Sequence, residues 1–305
     1  FGFQGGEPTL AGLDFYRQVI AMQKRLCKPG VQIFNSLQTN GLCINEEWAR
    51  FLAENHFLVG LSLDGPADLH DLNRKDRHGA GTADRVLNTA RLFDKYNVEY
   101  NILCVVTGRN AREIRDIYRF YRKNKFDYLQ FIPCLDGLDG EKRDYSLSSE
   151  AYLSFLKTTF DCYHQAYLNG HPVSVRNFDN WVAMLMGMPP ENCAMVGRCG
   201  PSLVIESDGS VYPCDFYALD KWKLGSIAED SLRRMLTSDR EKAFLAESLP
   251  VPEACRACRW YGLCRNGCKR ERDPETGLNR WCSVHSAFFE YAYDRMNQMA
   301  QQLKG

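Results

Sequence analysis

The sequence predicts an α/β protein in which parallel strands are followed by a cysteine-rich metal-binding region and a closing helix. Short apolar runs alternate with amphipathic stretches over the first 135 residues. Eight of the thirteen cysteines lie between residues 193 and 282, and the final segment has helical apolar spacing. Repeated strand–helix units of this size indicate parallel strands joined by right-handed crossovers, and these form either a barrel or a doubly wound sheet.

The elements of the first part follow from the periodicity of apolar residues. Helices are predicted where apolar residues recur three or four positions apart, and strands where short apolar runs are bounded by turn-forming residues. The predicted strands are residues 1–4, 31–37, 58–63, 100–106 and 128–132. The predicted helices between them are residues 13–25, 46–54, 83–96 and 111–123. This alternation is the pattern that a parallel sheet requires.

Small and polar residues follow four of these strands, in the segments 5–8, 38–41, 62–66 and 134–136. In parallel α/β architectures ligands bind at the carboxyl ends of the strands, so we expect the four loops to line one ligand site. The alternative is that their glycine, asparagine, aspartate and proline residues only make turns.

The second part begins after a polar loop expected at residues 137–147. Helices are predicted at 150–168 and 178–186, and Pro189-Pro190 then interrupts the pattern. Residues 204–212 read as a hairpin, because two strand-like pieces flank a Ser-Asp-Gly turn. Residues 283–303 form the closing amphipathic helix, and no internal repeat interrupts this order.

Eight cysteines are what two four-cysteine metal sites require. They are Cys193, Cys199, Cys214, Cys255, Cys258, Cys264, Cys268 and Cys282. Zinc and iron–sulfur clusters both take four thiolates, so the C-x2-C-x5-C-x3-C spacing from Cys255 to Cys268 leaves both metals open. Disulfides are a third alternative, which clustered C-x2-C spacing in a large chain disfavours.

The charge balance excludes some classes of partner. Lys plus Arg equals Asp plus Glu at 38 each, so no overall field attracts nucleic acid or an anionic membrane. No apolar run reaches the about 18 residues that span a bilayer, so we expect no membrane partner. The basic residues Lys269, Arg270 and Arg272 alternate with Glu271 and Asp273, which indicates a solvated face rather than a nucleic-acid site.

Five motifs in chain order resemble the anaerobic sulfatase-maturating branch of the radical S-adenosylmethionine enzymes that carry a SPASM domain. They are Phe-Gly-Phe-Gln-Gly-Gly-Glu-Pro-Thr-Leu from residue 1, Asn-Ser-Leu-Gln-Thr-Asn-Gly from 35, Leu-Asp-Gly-Pro from 63, Leu-Asn-Arg-Lys-Asp from 72 and Asp-Gly-Ser-Val-Tyr-Pro-Cys-Asp-Phe-Tyr from 208. The resemblance covers essentially the whole chain. Gly-Gly-Glu-Pro alone is a weak signal, but all of these motifs in order form a specific one.

The resemblance implies a partial (β/α)6 TIM-like radical SAM barrel at 1–172, a SPASM domain with two auxiliary clusters at 173–282 and a C-terminal helix at 283–305. The family's C-x3-C-x2-C loop for a third, catalytic cluster belongs before Phe1, together with the first strand, so we expect this fragment alone to be inactive. None of the remaining five cysteines has the spacing to replace it, and we expect them to be small, buried or semi-buried residues. They are Cys27, Cys43, Cys104, Cys134 and Cys162.

The resemblance also implies roles for individual residues. Contacts to S-adenosylmethionine are expected from Gln4, Gly5, Gly6, Glu7, Ser62, Arg74 and Leu135. One 4Fe-4S cluster is expected on Cys193, Cys199, Cys214 and Cys268, and the other on Cys255, Cys258, Cys264 and Cys282. Asp215 matches the family's general base, because it follows Cys214 in Tyr-Pro-Cys-Asp. A glycine exposes backbone groups to the cofactor's ammonium, and a serine hydroxyl and an arginine suit its carboxylate.

The function that the resemblance implies is oxidation of a cysteine or serine in an unfolded sulfatase polypeptide to formylglycine. A reducing cytoplasm and an electron donor such as flavodoxin or ferredoxin are expected with it. The alternative enzyme is a SPASM peptide maturase that installs a thioether or carbon–carbon crosslink in a ribosomal peptide. A non-enzymatic protein stabilised by zinc is the alternative from another class.

Overall fold

The computed structural model describes residues 1–137 and 141–304. Residues 138–140 of the expected loop, and Gly305 at the end of the expected C-terminal segment, lie outside the described residues. The chain divides into two units, Phe1–Phe178 and Asp179–Gly305. The sequence-based division into three regions, with boundaries after residues 172 and 282, stays a prediction.

The first unit is built on one parallel sheet. Its six described strands pair in chain order, each with the next. They are β1 (Gly2–Phe3), β2 (Asn35–Thr39), β3 (Phe57–Ser62), β4 (Glu99–Val106), β5 (Tyr128–Pro133) and β6 (Ser174–Val175). The predicted α/β class with parallel strands is thereby confirmed. Since all the strands run the same way, their carboxyl ends meet at one edge of the sheet.

Helices join these strands. They are α1 (Leu13–Leu26), α2 (Glu46–Glu54), α3 (Ala67–Asn73), α4 (Ala83–Tyr96), α5 (Ile114–Lys123) and α6 (Ser149–Leu168). The Asn45 side chain caps α2 by accepting the Trp48 N–H, and Ser148 caps α6 in the same way. Val59 and Leu61 on the central strand β3 are fully buried on one face of the sheet, whereas Leu58 on the opposite face is 47% exposed.

Two parts of the first unit differ from the sequence-based expectation. Strand β2 begins at Asn35 instead of residue 31, and Val31 and Phe34 are 57% and 75% exposed. The apolar run was therefore a misleading signal, because its residues precede the strand and do not face the core. Helix α3 and strand β6 were not predicted, since elements of seven and two residues are too short to show a clear period.

The second unit consists of short elements around a small sheet and a long final helix. They are α7 (Arg176–Leu185, which begins in the first unit), α8 (Cys193–Val196), β7 (Val204–Ile205), β8 (Ser210–Tyr212), β9 (Gly225–Ser226), α9 (Leu232–Leu236), α10 (Asp239–Ala246), α11 (Glu253–Arg256), α12 (Tyr261–Cys264) and α13 (Cys282–Lys304). The predicted hairpin is present as β7 and β8, and β9 extends it to three antiparallel strands. Within the described ranges, no helix combines the length and the apolar character needed to cross a membrane.

Candidate functional site

The loop after β1 is joined to the end of β2 by the Glu7 carboxylate. Oε1 accepts hydrogen bonds from the Thr9 backbone N–H and from the hydroxyls of Thr9 and Thr39, at 3.0, 2.5 and 2.8 Å. Oε2 accepts the Asn40 backbone N–H at 2.7 Å. Gly5 and Gly6 precede this anchor with φ values of +86° and +50°, which the turn takes at little cost because glycine has no Cβ.

The loops after β3 and β4 are joined by Asp64. This side chain is 8% exposed, and its Oδ1 accepts the Val105 N–H at 2.9 Å. Its Oδ2 accepts the Arg74 Nε–H at 2.5 Å, and the Arg74 Nη2 lies 3.3 Å from Oδ1. The Asp64 N–H in turn donates to Nδ1 of the buried His70 at 3.1 Å. Arg74 is therefore held by a buried carboxylate and is not a solvated surface residue.

The remaining predicted cofactor contacts lie on the same edge of the sheet. Ser62 is the last residue of β3 and is 7% exposed, whereas Gln4, Gly5 and Gly6 follow β1 and are exposed. Leu135 is half-buried and follows Cys134, whose N–H donates to the Val106 carbonyl. The structure thus brings the predicted residues to the carboxyl ends of the strands. Their contact with a cofactor stays a prediction.

We call Cys193, Cys199, Cys214 and Cys268 the first thiol set. Burial is the main reason that the pKa of Cys268 is raised to about 11, and Cys193 and Cys199 are close enough to raise it further. Burial likewise raises the pKa of Cys214 to about 12, with Cys268 among the smaller contributions. Cys193, Cys199 and Cys214, which are distant from Cys268 in sequence, therefore each lie within electrostatic range of it.

We call Cys255, Cys258, Cys264 and Cys282 the second thiol set. All four line one cavity of about 100 Å³, together with aromatic and polar neighbours that include Trp260, Asn266 and His285. Burial raises the pKa of Cys264 to about 11, and Cys282, Cys255 and Cys258 raise it further. Four sulfurs that converge on a shared cavity form a donor set suited to an iron–sulfur cluster.

Binding of a metal by these thiols is coupled to their protonation. In residues 1–137 and 141–304, no group of three or more His, Cys, Asp or Glu side chains is placed to hold a single ion. Because the pKa values of several of these thiols are raised by burial, metal loading must release protons.

Arg272 ties the segments that carry the two thiol sets. Its Nη1 donates to the Ser248 carbonyl at 2.7 Å and its Nη2 to the carbonyls of Gly197 and Gly267 at 2.7 and 3.1 Å. Gly197 has a φ of +80°, and a Cβ there would lie 2.2 Å from the Arg265 carbonyl oxygen. The segment between Cys193 and Cys199 therefore packs directly against the loop after Cys264.

The prediction of a solvated basic face at 269–272 was wrong for two residues. The Lys269 side chain is 6% exposed, and its Nζ lies 3.5 Å from the Phe244 ring centroid and donates to the Phe244 carbonyl at 3.1 Å. Arg272 is directed at the carbonyls described above. Alternating charge in the sequence suggested solvent exposure, but the aromatic and carbonyl partners are distant in sequence and were not visible in that pattern.

Asp215 is an exposed residue at the start of the 3-10 turn Asp215–Tyr217. Its Oδ1 accepts the Phe216 N–H at 3.0 Å and the Cys214 thiol at 3.3 Å. The carboxylate is therefore oriented beside a member of the first thiol set, and its role as a base stays a prediction.

The thirteen cysteines are all free thiols, so the described chain contains no disulfide. The five cysteines outside the two sets were expected to be buried or semi-buried. This is correct for Cys104, Cys134 and Cys162 and wrong for Cys27 and Cys43, which are exposed. Both exposed cysteines lie in connecting segments between elements, where no core is available to cover them.

Comparison with known proteins identifies the family. Residues 1–121 match the Radical SAM superfamily, and residues 193–259 match SPASM, an iron-sulfur cluster-binding domain. The whole chain is 46% identical to a cysteine-type anaerobic sulfatase-maturating enzyme of Clostridium perfringens and covers 84% of it. This chain belongs to the anaerobic sulfatase-maturating enzyme family.

Other members and structures agree with this assignment. A serine-type anaerobic sulfatase-maturating enzyme of Bacteroides thetaiotaomicron is 32% identical, over 99% of this chain and 78% of that enzyme. The solved structure of native anSMEcpe with bound AdoMet and Cp18Cys peptide superposes with a TM-score of 0.96 at 46% identity, covering 99% of this chain and 86% of that one. Streptococcus suis SuiB, at 18% identity and a TM-score of 0.61, covers 92% of this chain and 66% of its own and shares the fold alone.

The predicted resemblance to anaerobic sulfatase-maturating enzymes with radical SAM and SPASM regions is confirmed. The prediction of S-adenosylmethionine and iron–sulfur clusters as cofactors is confirmed with it. Sequence reasoning missed the contacts that Asp64 and Arg272 make, and it did not single out His285. One signal was available for His285, which lies three residues after Cys282 and so on the same face of a helix.

Proposed function

We propose that this protein oxidises one residue of an unfolded sulfatase polypeptide to formylglycine, and that this residue is a cysteine in preference to a serine. The observation that carries the proposal is similarity over the whole chain. Identity is 46% to the cysteine-type enzyme and 32% to the serine-type enzyme. The alternative of a peptide maturase is supported by the fold alone, because the structure of SuiB bound to precursor peptide SuiA is only 17% identical to this chain.

The loops at the carboxyl edge of the sheet are proposed to hold S-adenosylmethionine. When bound, this cofactor supplies a 5′-deoxyadenosyl radical that removes one hydrogen atom from the substrate. Gly5 and Gly6 lack side chains that would cover the backbone, so their carbonyls can face the cofactor's ammonium group. The Asp64–Arg74 pair uses Nε and Nη2 of the guanidinium, which leaves the Nη1 edge directed away from the pair for a carboxylate.

The two thiol sets are proposed to bind one auxiliary 4Fe-4S cluster each. Each set supplies four cysteines, which is the full complement that such a cluster takes from protein. Complete cysteine ligation leaves no iron site open for substrate, so these clusters suit electron transfer or structural stabilisation. We place the protein in a reducing cytoplasm, with flavodoxin or ferredoxin as the class of electron donor, because thiolate-bound clusters need a reducing environment.

Asp215 is proposed to be the general base. After a hydrogen atom passes from Cβ of the substrate cysteine to the deoxyadenosyl radical, loss of the thiol proton and of one electron, which a bound auxiliary cluster could accept, would give a thioaldehyde. Hydrolysis of this group would give formylglycine and hydrogen sulfide. The exposed carboxylate can accept the thiol proton, and its hydrogen bond from the Phe216 N–H fixes its direction. If the substrate residue is a serine, loss of the Cβ hydrogen atom, the hydroxyl proton and one electron would give the aldehyde directly.

The test uses the protein produced from its complete gene and reconstituted without oxygen. It is incubated with reductant, S-adenosylmethionine and a peptide that contains a Cys-x-Pro-x-Arg motif, and the products are analysed by mass spectrometry. We expect formylglycine in the cysteine peptide and a slower reaction in its serine counterpart. A peptide with alanine at this position is the control. Formation of deoxyadenosine while every such peptide stays unmodified would contradict the proposal.

A further inference from the structure

The second thiol set has a histidine beside one of its sulfurs. Nδ1 of His285 lies 3.8 Å from Sγ of Cys264, and the His285 side chain lines the same cavity as the four thiols. No role for this histidine follows from the cysteine spacing or from the proposed chemistry. The contact is nevertheless within hydrogen-bonding range for sulfur.

The position of His285 is fixed by two independent constraints. It lies three residues after Cys282 on α13, so both side chains project from one face of the helix. Its ring also packs against Trp181 and Phe289, with centroid distances of 6.3 and 6.1 Å. An aromatic environment on these sides restrains the ring, so that Nδ1 remains directed at Cys264.

The direction of the hydrogen bond between Cys264 and His285 depends on whether the sulfur is bonded to iron. A free Cys264 thiol can donate its proton to Nδ1, but a thiolate bonded to iron has no proton and can only accept. The pair can then persist only if Nδ1 carries the hydrogen and donates it to sulfur. Hydrogen bonds to cluster sulfurs are one of the factors that set the reduction potential of an iron–sulfur cluster.

We propose that His285 donates a hydrogen bond from Nδ1 to the Cys264 sulfur and thereby raises the reduction potential of the cluster on the second thiol set. This inference rests on the proposed ligation of that cluster by Cys264. The physical reason is that reduction adds negative charge to the cluster, and a directed N–H stabilises the more negative form. His285 is thus a positioning and tuning residue and not a cluster ligand.

The experiment is a redox titration of the iron-loaded protein, followed by electron paramagnetic resonance of the reduced clusters. The His285→Phe variant keeps a ring between Trp181 and Phe289 but removes the donor. We expect one cluster to become about tenfold harder to reduce, which for a one-electron couple is a shift of about 59 mV to lower potential. The His285→Asn variant places an amide N–H near the position of Nδ1 and should recover part of the shift.

A matched control and a second measurement make the outcome decisive. His164, which stacks on Phe160 in the first unit with centroids 6.0 Å apart, is replaced by phenylalanine and should leave every potential unchanged. Unchanged potentials in a loaded His285→Phe protein would overturn the inference, as would an equal shift in His285→Asn. A wild-type protein that takes up no iron would overturn the proposed cluster ligation as well.

If His285→Phe fails to retain its cluster, the wild-type protein decides the question. Protein labelled with ¹⁵N-histidine is reduced and examined by pulsed electron paramagnetic resonance. We expect a weak coupling between a cluster and a histidine nitrogen, and His285→Asn should lack it. Absence of this coupling in the loaded wild-type protein would overturn the inference without reference to the stability of any variant.

Discussion

The Glu7 carboxylate and the Thr39 hydroxyl are joined by a 2.8 Å hydrogen bond that links the loop after β1 to the end of β2. Thr39 is 2% exposed, so this bond lies at the buried edge of the sheet. The same carboxylate accepts two backbone N–H groups, from Thr9 and Asn40. Glu7 therefore holds its loop in place through hydrogen bonds within the protein. Any contact of this loop with a cofactor depends on those hydrogen bonds.

Replacement of Glu7 by alanine should lower both stability and cofactor affinity. The buried donors would lose an ionised acceptor, and we expect a loss of about 2–4 kcal/mol in the free energy of unfolding. Weaker binding of S-adenosylmethionine should accompany it, because the Gly5-Gly6 turn loses its anchor. Urea unfolding and a cofactor titration measure the two effects.

Glu47 provides the control for this prediction. It pairs with Arg17 at the surface and is 62% exposed, so Glu47→Ala should change the stability by no more than about 0.5 kcal/mol. The conservative Glu7→Gln variant keeps one acceptor and should fall between wild type and Glu7→Ala. Equal stability of Glu7→Ala and Glu47→Ala would show that the internal bonds of Glu7 contribute little.

Paired cysteine substitutions should reveal that the two thiol sets are interleaved. Cys268→Ala and Cys264→Ala should each remove about four iron atoms, as expected for one cubane. Combining Cys268→Ala with Cys214→Ala should remove no more than Cys268→Ala alone, whereas combining it with Cys264→Ala should remove about eight. Anaerobic iron and sulfide analysis of the purified proteins gives these counts.

Cys104 is the matched control, since it is a buried cysteine of the first unit and Cys104→Ala should retain all the iron. Circular dichroism should show that each variant remains folded. If Cys268→Ala combined with Cys264→Ala lost only about four iron atoms, the two residues would share one cluster and our assignment of the sets would be incorrect.

Replacement of Asp215 by asparagine should separate radical formation from product formation. The amide keeps the size of the side chain but cannot accept a proton, so the rate of formylglycine formation should fall by about 10²–10⁴-fold. Iron content and deoxyadenosine formation should persist. Product analysis by mass spectrometry and a parallel assay of deoxyadenosine distinguish these steps.

The neighbouring Asp220 tests whether the effect is specific. It is also an exposed first residue of a 3-10 turn, Asp220–Trp222, so Asp220→Asn should keep the wild-type rate. A wild-type rate in Asp215→Asn would remove Asp215 from the mechanism. A loss of iron in the same variant would instead indicate that its role is to support Cys214.

Stability should depend on pH through His70. Burial lowers the pKa of this residue in the folded state, with opposing contributions from Asp64 and Asp71 and a further lowering by Arg74. Below the usual histidine pKa of about 6.5, the unfolded state therefore binds more protons than the folded state. The stability should decrease as the pH falls from 7 through 6.5 towards the lowered pKa. Urea unfolding across this range measures the slope.

His70→Asn should be less stable at pH 7, because the bonds to Asp64 and Thr82 are disturbed, but its stability should vary less between pH 7 and the lowered pKa. The exposed His171 is the control, and His171→Asn should keep the wild-type slope. The same slope in wild type and His70→Asn would assign the pH dependence to other groups.

The elements that could be predicted from the sequence are those whose signal is local. Helices α2 and α4 have strong apolar periods and were predicted with the correct bounds, Glu46–Glu54 and Ala83–Tyr96. The start of strand β2 was predicted too early, at residue 31 instead of Asn35, because exposed apolar residues before the strand were taken for buried ones. Periodicity reports which residues share a face, and it does not report which face becomes covered.

The contacts that organise the site depend on residues far apart in the chain. Arg272 and Gly197 are 75 positions apart, and Glu7 and Asn40 are 33 apart. No spacing rule connects such pairs. The partition of eight cysteines into two sets was likewise available only through family resemblance, because Cys268 lies within the run that begins at Cys255 but is predicted to share a cluster with Cys193.

The chain-order pairing of β1 to β6 has a consequence for biosynthesis. Each strand finds its neighbour among residues already made, so the sheet can assemble progressively from the N-terminal side as the polypeptide emerges. The two thiol sets are completed later in translation than the sheet. The second set lacks its fourth member until Cys282 has been translated, and the first lacks Cys268 until shortly before. Iron could therefore complete the two proposed sites only after Cys282 has been translated, when the sheet can already be in place.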